Sequence, residues 1–211
     1  VGVSSPQIDE GERGFSFRHD APLDMRMDQS RGITASEIIN TYEPGELVRI
    51  LRVYGEEKFA TRIVENIVKE RAKAPMNSTI QLAALVKESI PAATRRTGGN
   101  PSKRTFQALR IAVNDELGAI ERAIPQALDR IIIGGRVVVM SFQSLEDKIV
   151  KEKFADASTS KSPRELPIEL PEFAAKFKLV FNSSEKPSEA EIAENSRAAS
   201  TRLRAIERVA A

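Results

Sequence analysis

The sequence contains no cysteine and a single histidine, His19. Without cysteine the chain has neither disulfide bonds nor thiolate metal sites, and one histidine leaves little for a zinc site or for histidine-based catalysis. No apolar run approaches the roughly 18 residues that a transmembrane helix needs. The first residues also lack the basic and then apolar stretch of a secretory signal. We therefore expect no metal site, no membrane span and a cytoplasmic location, with His19 making a local hydrogen bond.

Charge is unevenly distributed along the 211 residues, although the net charge is only +2. The content of 41% hydrophobic and 29% charged residues is ordinary for a globular chain, long enough for one core or for one domain carrying an inserted second one. Residues 91–110 hold five cations and no acid, namely Arg95, Arg96, Lys103, Arg104 and Arg110. Such a cluster suits the neutralisation of several nucleic-acid phosphates. The alternative is a solvated loop and helix start.

Residues 33–90 have the pattern of consecutive helices. Helix-start and helix-stop signals recur along them: a capping box at Thr34 and Glu37, a first-turn proline at Pro44, a terminal glycine at Gly55 and a serine cap at Ser78. Apolar residues also follow helical spacing, at Phe59, Ile63, Val64, Ile67 and Val68. The sequence predicts a helical unit without a strand.

The longest predicted helix follows Pro101. Its apolar stripe consists of Phe106, Leu109, Val113, Leu117, Ile120 and Ile124. A second face carries Lys103, Gln107, Arg110 and Asn114. For Asn114 helix packing is the default role.

Strands are predicted at both ends of the chain. The run "RVVVMSF" after Gly134-Gly135 suits a strand covered on both faces, as in parallel sheets, within an α/β crossover unit. Val1–Ser5 has the pattern of the end of a buried strand, and "FKLVF" that of a last strand. Residues 155–175 are predicted to be an extended linker, followed near the C-terminus by a capped helical turn and a basic helix.

Two strand ends are candidate binding positions, because ligands of open α/β sheets bind beyond the carboxyl ends of strands. The first carries Ser4, Ser5, Pro6 and Gln7. Proline after serine favours an extended loop with outward carbonyls that accept hydrogen bonds from an amine. The second carries Gln143 and Glu146, which we expect to project past the strand, while Ser144 and Asp147 suit a capping box. The alternative for both is an ordinary turn.

The segment "APLDMRMDQS" is a candidate substrate loop. Two methionines lie there between acids and an arginine, which is unusual for a solvated loop. Methionine adapts to irregular surfaces, including flat bases. A plain surface loop is the alternative.

Four stretches together resemble one family. They are "GVSSPQIDEGERGFSFRHDAPLDMRMD", "KRTFQALRIAVNDEL", "GGRVVVMSFQSLEDKIVK" and "PSEAEIAENSRAASTRLRAIE". In this order, from Val1 to the C-terminus, they resemble the MraW/RsmH family. Its members are S-adenosylmethionine-dependent methyltransferases that modify the exocyclic amine of a cytosine in small-subunit ribosomal RNA.

The resemblance implies an α/β fold: the C-terminal part of a Rossmann-like class I methyltransferase domain with an inserted all-helical domain. The implied domains are residues 1–14 and 106–211 for the methyltransferase part, with a flexible linker at about 155–175, and 15–105 for the insert. The family's glycine-rich cofactor loop and acidic residue would precede Val1. The chain is therefore expected to resemble the C-terminal two-thirds of such a protein, starting at the fourth strand.

Site roles follow from the same resemblance. Gln7 would contact S-adenosylmethionine. The catalytic set would be Ser4, Ser5, Pro6 and Gln143. The substrate or RNA contacts would be Asp24, Met25, Arg26, Asp28, Arg95, Arg96, Lys103, Arg104, Asn114 and Ser144. Two positions depart from many relatives, which have histidine at Gln143 and proline at Ser196, so an imidazole role at that strand end is in doubt.

The expected partner is small-subunit ribosomal RNA or the 30S particle, with a possible homodimer. One alternative is a non-catalytic RNA-binding or scaffold fragment, because the glycine-rich loop is absent from these residues. Another is methylation of a DNA or protein amine.

Overall fold

The computed structural model describes residues 1–92, 100–163 and 173–211. They form two compact units. Residues 3–116 make up the first, called here the helical unit, and residues 1–2 with 117–211 make up the second, called the sheet unit. The division lies at residues 2/3 and 116/117, whereas the sequence places it at 14/15 and 105/106.

Within the described residues, the helical unit consists of helices, turns and one long irregular segment. Its elements are α1 (Ser5–Asp9), a 3-10 turn (Gly11–Arg13), α2 (Ala35–Thr41), α3 (Pro44–Gly55), α4 (Ala60–Arg71), α5 (Thr79–Ser89) and α6 (Lys103–Asn114). The Thr34–Glu37 capping box and the Ser78 cap are confirmed. Pro44 occupies the first turn of α3 as predicted. These signals act within one helical turn, so local sequence decides them.

The core of the helical unit is apolar and drawn from every long helix in it. The predicted stripe on α4 is buried at Ile63, Val64 and Ile67. Leu51 of α3 and Leu109 of α6 meet it in the same cluster. Burial of such side chains supplies about 1.5–3 kcal/mol each, which is why the helix faces are defined.

The predicted long helix after Pro101 is wrong, because it is broken at Asp115. Asp115 adopts a left-handed conformation with φ of 48° and ends α6 by donating its N–H to the Ile111 carbonyl. Aspartate tolerates this conformation better than most residues do. A new helix, α7 (Glu116–Arg130), then begins. The single stripe therefore serves two cores, with Leu109 in the helical unit and Ile120 in the sheet unit.

The sheet unit contains three antiparallel strands in the order β1-β3-β2. The strands are β1 (Arg136–Ser141), β2 (Phe177–Leu179) and β3 (Arg202–Arg208). The helices are α7, α8 (Ser144–Ala157), α9 (Glu189–Glu194) and a 3-10 turn at Ser196–Ser200. The strand predicted at "FKLVF" is confirmed as β2, although β3 follows it in the chain.

Parallel pairing of the "RVVVMSF" strand is wrong within the described residues, where β1 pairs with β3 in antiparallel register. The burial of β1 alternates: Val137 and Val139 pack on the core, but Val138 and Met140 are 57% and 45% exposed. The alternation of burial is not visible in the sequence, because the outward residues of this run are as apolar as the inward ones. Continuous hydrophobicity therefore did not mean cover on both faces.

The predicted C-terminal basic helix is also wrong, because Arg202–Arg208 is the central strand β3. Both edges of β3 are hydrogen-bonded, one to β1 and one to β2. Its arginines have partners in the fold: Arg204 makes a bidentate contact with Asp147 at 2.7 and 2.9 Å, and Arg208 donates to the carbonyls of Ala210 and Ile131. Tertiary pairing therefore overrides the helical preference of the sequence.

Two further predictions change at the chain start and in the linker. Val1–Ser4 lies outside any strand, and Ser5 already begins a helix, so the predicted strand end is wrong. The Val1 amino group donates to the Met140 carbonyl at 3.0 Å. In the linker, residues 155–157 complete α8, while residues 164–172 lie outside the described ranges. None of the helices in the described ranges is long and apolar enough to cross a bilayer.

We expect Gly55→Ala to destabilise the helical unit by about 1–3 kcal/mol through overpacking. A Cβ at Gly55 would lie 2.6 Å from the Arg104 carbonyl oxygen and 3.1 Å from the Ala108 Cβ. Gly45→Ala in the same helix is the control, because a Cβ there meets no described atom within 4 Å. Urea unfolding measures both, and equal effects of the two changes would contradict close packing at Gly55.

Candidate functional site

The "SSPQ" segment is a helical turn rather than the predicted extended loop. Ser4 is the N-cap of α1, and the Gln7 Oε1 accepts the Ser4 backbone N–H at 2.9 Å. The Pro6 carbonyl accepts the N–H of Glu10 at 2.8 Å. Proline fits the first turn of a helix, where its missing N–H costs nothing. The Gln7 Nε2 is a hydrogen-bond donor without a partner among the described residues.

The second candidate position, after β1, is organised by Glu146 and not by Ser144. Gln143 is the N-cap of α8, one residue earlier than predicted, and Ser144 is the exposed first residue of the helix. Glu146 is fully buried rather than projecting. Its carboxylate accepts hydrogen bonds from the Phe142 N–H at 2.9 Å and from the Gln143 Nε2 at 3.1 Å. Asp147 instead binds Arg204.

The amide of Gln143 has one satisfied and one unsatisfied end. Because its Nε2 donates to Glu146, its Oε1 points away from that carboxylate. This Oε1 is buried and has no partner among the described residues. A buried acceptor without a donor costs about 1–3 kcal/mol. Gln143 therefore carries an acceptor that a donor from a ligand or a water molecule would satisfy.

The methionine segment has a different arrangement from the predicted base-contacting surface. Met25 is fully buried in the core of the helical unit, with φ of 61°. The prediction that its side chain lines the substrate side is therefore wrong, since the apolar chain is used for packing. The neighbours of Met25 remain accessible: Arg26 is paired with Asp24 in a bidentate contact at 2.7 and 2.9 Å, and the side chain of Asp28 is 51% exposed.

The charges in this segment stabilise one another. The side-chain hydrogen bonds of Arg26 hold the pKa of the Asp24 carboxyl below its ordinary value, although burial opposes the shift. The same contact raises the pKa of Arg26. Hydrogen bonds from the Ser30 hydroxyl and backbone lower the pKa of Asp28. The segment therefore presents the ion pair of Asp24 with Arg26, followed by the ion pair of Asp28 with Arg31 at 2.8 Å.

The basic cluster is only partly available for phosphates. Lys103 and Arg104 are exposed at the start of α6, although Arg104 also donates to the Glu56 carbonyl at the end of α3. Arg110 is held by Glu116 in a bidentate contact at 2.8 and 3.1 Å. The remaining members, Arg95 and Arg96, lie outside the described residues.

Asn114 contacts the protein backbone rather than open solvent. Its Nδ2 donates to the carbonyls of Met25 and Arg110, and its Oδ1 accepts the N–H of Met27. Arg13 binds the same segment and was missed from the sequence. It lies inside the quoted first motif, but no local pattern separates an arginine that binds backbone from a solvated one.

The predicted site residues are divided between the two units. The helical unit contains both the Ser4–Gln7 turn and the Asp24–Asp28 segment with Asn114. Gln143 and Ser144 belong to the sheet unit.

These features define a mixed α/β protein with a helical unit and a small antiparallel sheet. The chain belongs to the MraW methylase family, whose profile matches residues 1–209. The resemblance read from the motifs is therefore confirmed.

Curated relatives carry one name, ribosomal RNA small subunit methyltransferase H. The Corynebacterium diphtheriae protein is 59% identical over 207 residues, which cover 98% of this chain and 61% of the relative. The Salinispora tropica protein is 59% identical over 99% of this chain and 56% of the relative. The Rhodococcus jostii protein is 55% identical over 100% of this chain and 62% of the relative. The chain thus spans about three-fifths of the length of these relatives.

We expect Asp24→Asn to reduce stability near neutral pH, with the difference from the parent vanishing in acid. The folded pKa of Asp24 is depressed, so its contribution is complete above the unfolded pKa of about 4 and is lost as pH falls through the folded pKa. Urea unfolding of both proteins between pH 7 and pH 3 measures the difference. Arg26→Gln should reduce the pH dependence of this difference, because it removes the largest cause of the depressed pKa of Asp24 and leaves the hydrogen bonds from the backbone N–H of residue 26 and from Gln29. A difference between parent and Asp24→Asn that stays constant over this pH range would refute the assignment.

Proposed function

We propose that this chain works in an S-adenosylmethionine-dependent methyltransferase that modifies the exocyclic amine of a cytosine in 16S ribosomal RNA. The observation that carries the proposal is the identity of 55–59% across almost the whole chain with proteins named ribosomal RNA small subunit methyltransferase H. The proposed partner is small-subunit ribosomal RNA or the 30S particle in the cytoplasm. A homodimer is also proposed, and sedimentation equilibrium tests it.

The proposed architecture is a Rossmann-like methyltransferase domain with an inserted helical domain. The course of the chain supports it. Residues 1–2 belong to the sheet unit, the chain then builds the whole helical unit, and it returns to the sheet unit at residue 117. One compact unit is thus interrupted by another, which is the connectivity of an insertion.

Gln7 is the proposed contact for S-adenosylmethionine, whose sulfonium supplies an electrophilic methyl group when bound. The fit depends on the side-chain amide. Its Oε1 is engaged by Ser4, which fixes the amide, and its Nε2 has no described partner. A fixed, unused N–H donor suits a carboxylate or ring nitrogen of the cofactor.

Ser4, Ser5 and Pro6 are proposed to orient the cytosine amine. Carbonyl oxygens have two lone pairs, so a carbonyl that already accepts a helical N–H, as that of Pro6 does, is able to accept an amine N–H as well. Hydrogen bonds from the two amine protons would turn the nitrogen lone pair toward the methyl group. Such positioning contributes up to roughly 7–11 kcal/mol. No strong base is needed, because the proton leaves after the methyl group arrives.

Gln143 and Ser144 are the proposed contacts in the sheet unit. The buried, unpartnered Oε1 of Gln143 supports a role as acceptor for an N–H on a base edge. An unstacked base presents its edge in this way to enzymes that act on nucleobases. Ser144 is exposed at the start of α8, where its hydroxyl is available to RNA.

The helical unit supplies the remaining proposed RNA contacts. Asp24, Arg26 and Asp28 would recognise the strand around the target, since they form an ordered, partly exposed set of charges. Lys103 and Arg104 would bind phosphates together with Arg95 and Arg96. Met25 has no place in this proposal, because it is buried.

A methyl-transfer assay with labelled S-adenosylmethionine tests the proposal. Purified chain is incubated with 30S particles, naked 16S RNA, duplex DNA and a basic protein. Transfer to the cytosine amine of particle or RNA supports it, and preferential transfer to DNA or protein overturns the substrate class. Saturable RNA binding without binding of the cofactor would instead favour a non-catalytic RNA-binding fragment.

We expect Lys103→Glu/Arg104→Glu to weaken RNA binding and to flatten its salt dependence. Loss of two phosphate contacts lowers the slope of log K against log salt by about 1–2. The control is Lys151→Glu/Lys153→Glu on α8, which makes the same charge change at exposed positions of the sheet unit. Fluorescence anisotropy at several salt concentrations measures the slope. Equal slopes for the two variants would assign the α6 cations to ordinary surface.

A further inference from the structure

The backbone of Met25–Met27 lies in an irregular segment, yet all its polar groups are hydrogen-bonded. Three residues provide the partners: Arg13, Asp24 and Asn114. Irregular backbone normally relies on water for many of these bonds. A segment saturated by protein groups is therefore held in one conformation.

Asn114, on α6, holds the segment from one side. Its Nδ2 donates to the Met25 carbonyl and its Oδ1 accepts the Met27 N–H, both at 2.7 Å. These two bonds lie on either side of Arg26. The preceding residue, Met25, has a φ of 61°, which is unfavourable for a side chain of this size. Because strained conformations persist only where surrounding contacts impose them, the bond from Asn114 to the Met25 carbonyl is one of the contacts that hold the turn.

Arg13 holds the same segment through its guanidinium. Its Nη2 donates to the carbonyls of Arg26 and Met27, each at 2.9 Å, and its own carbonyl accepts the Met25 N–H at 3.1 Å. The side chain is only 21% exposed and lies 5.7 Å from the Phe15 ring centroid. The guanidinium thus binds backbone carbonyls of the helical unit through Nη2, its Nη1 lies 3.7 Å from the Glu10 carboxylate, and its buried Nε has no partner among the described residues.

The held backbone gives a fixed starting point to the side chains of Arg26 and Asp28. The Asp24 carboxylate accepts hydrogen bonds from the backbone N–H of Arg26 and, in the bidentate contact, from its guanidinium. The Arg26 side chain therefore has a set direction. Asp28 follows directly after the held segment. A binding loop that is already ordered loses less conformational entropy when its ligand binds.

We propose that Arg13 and Asn114 are positioning residues, which hold the Asp24–Asp28 segment in the conformation that binds RNA. The inference rests on the proposed function. It replaces the direct RNA contact predicted for Asn114 with an indirect role, and it assigns a role to Arg13, which the site prediction lacked.

The helical unit contains a matched pair of residues that make the same contacts elsewhere. Asn40 accepts the Met76 N–H and donates to the Met76 carbonyl at 2.9 and 3.0 Å. Arg71 donates to the carbonyls of Ile39 and Tyr42 at 2.8 and 2.7 Å. A merely structural role predicts equal consequences for the two pairs.

The test compares Asn114→Asp with Asn40→Asp in the full chain. Each change keeps side-chain volume and places a carboxylate oxygen against a backbone carbonyl, so both should lower the melting temperature. Binding to 30S particles is measured for each by anisotropy, with hydrogen exchange followed at Met25 and Met27. We expect Asn114→Asp to weaken binding about tenfold or more and to speed exchange at Met27, whereas Asn40→Asp leaves both unchanged.

The salt slope separates positioning from charge. Since Arg13 and Asn114 would not touch phosphate, Asn114→Asp should weaken binding at every salt concentration with an unchanged slope. If Asn114→Asp does not fold, Arg13→Gln against Arg71→Gln makes the same comparison.

The outcomes separate this inference from the proposed function. Parent protein that neither binds 30S particles nor transfers a methyl group overturns the proposed function and this inference with it. Parent protein that binds, with equal affinities for the Asn114 and Asn40 variants, overturns the positioning role alone. A selective loss for the Asn114 variant supports both.

Discussion

The fold of the helical unit depends on satisfying the backbone of a long irregular segment, residues 14–34, that buries Leu23 and Met25 in the core. Buried backbone that lacks a helix or sheet partner must find side chains or water. Here the partners come from the ends of helices: Asn114 at the end of α6 and Thr79 at the start of α5, whose hydroxyl bonds both the Ala21 N–H and the His19 carbonyl. The helix ends therefore shape the segment.

The sequence predictions were accurate where the interacting residues are close in sequence and failed where they are far apart. The caps at Thr34 and Ser78 were predictable because their partners lie three residues away. The strand β3 was not, because it depends on pairing with distant segments. Nothing local in "RLRAIER" distinguishes a helix from a central strand. The decisive fact is a neighbour on each side, supplied by residues far away in sequence.

The candidate site shows the same limit at the level of single side chains. The Asp24–Asp28 segment was recognisable by its composition, but the roles within it were not. Met25 was predicted to face a base and instead anchors the turn in the core. Asn114 and Arg13 hold that turn. Asn114 lies 89 residues from Met25 in the sequence, and Arg13 lies 14 residues from Met27. A residue that binds backbone has no motif, because every backbone offers the same groups.

Gln143, which follows β1, is a second side chain whose role depends on its surroundings. Glu146 fixes which end of the amide is free, since its carboxylate oxygens accept the Phe142 N–H and the Gln143 Nε2. The free end is therefore an acceptor, whereas a histidine at this position would offer either a donor or an acceptor depending on tautomer. The amide removes that dependence on proton position. In the proposed site this corner would accordingly select a donor on the ligand, without a group that titrates near neutral pH.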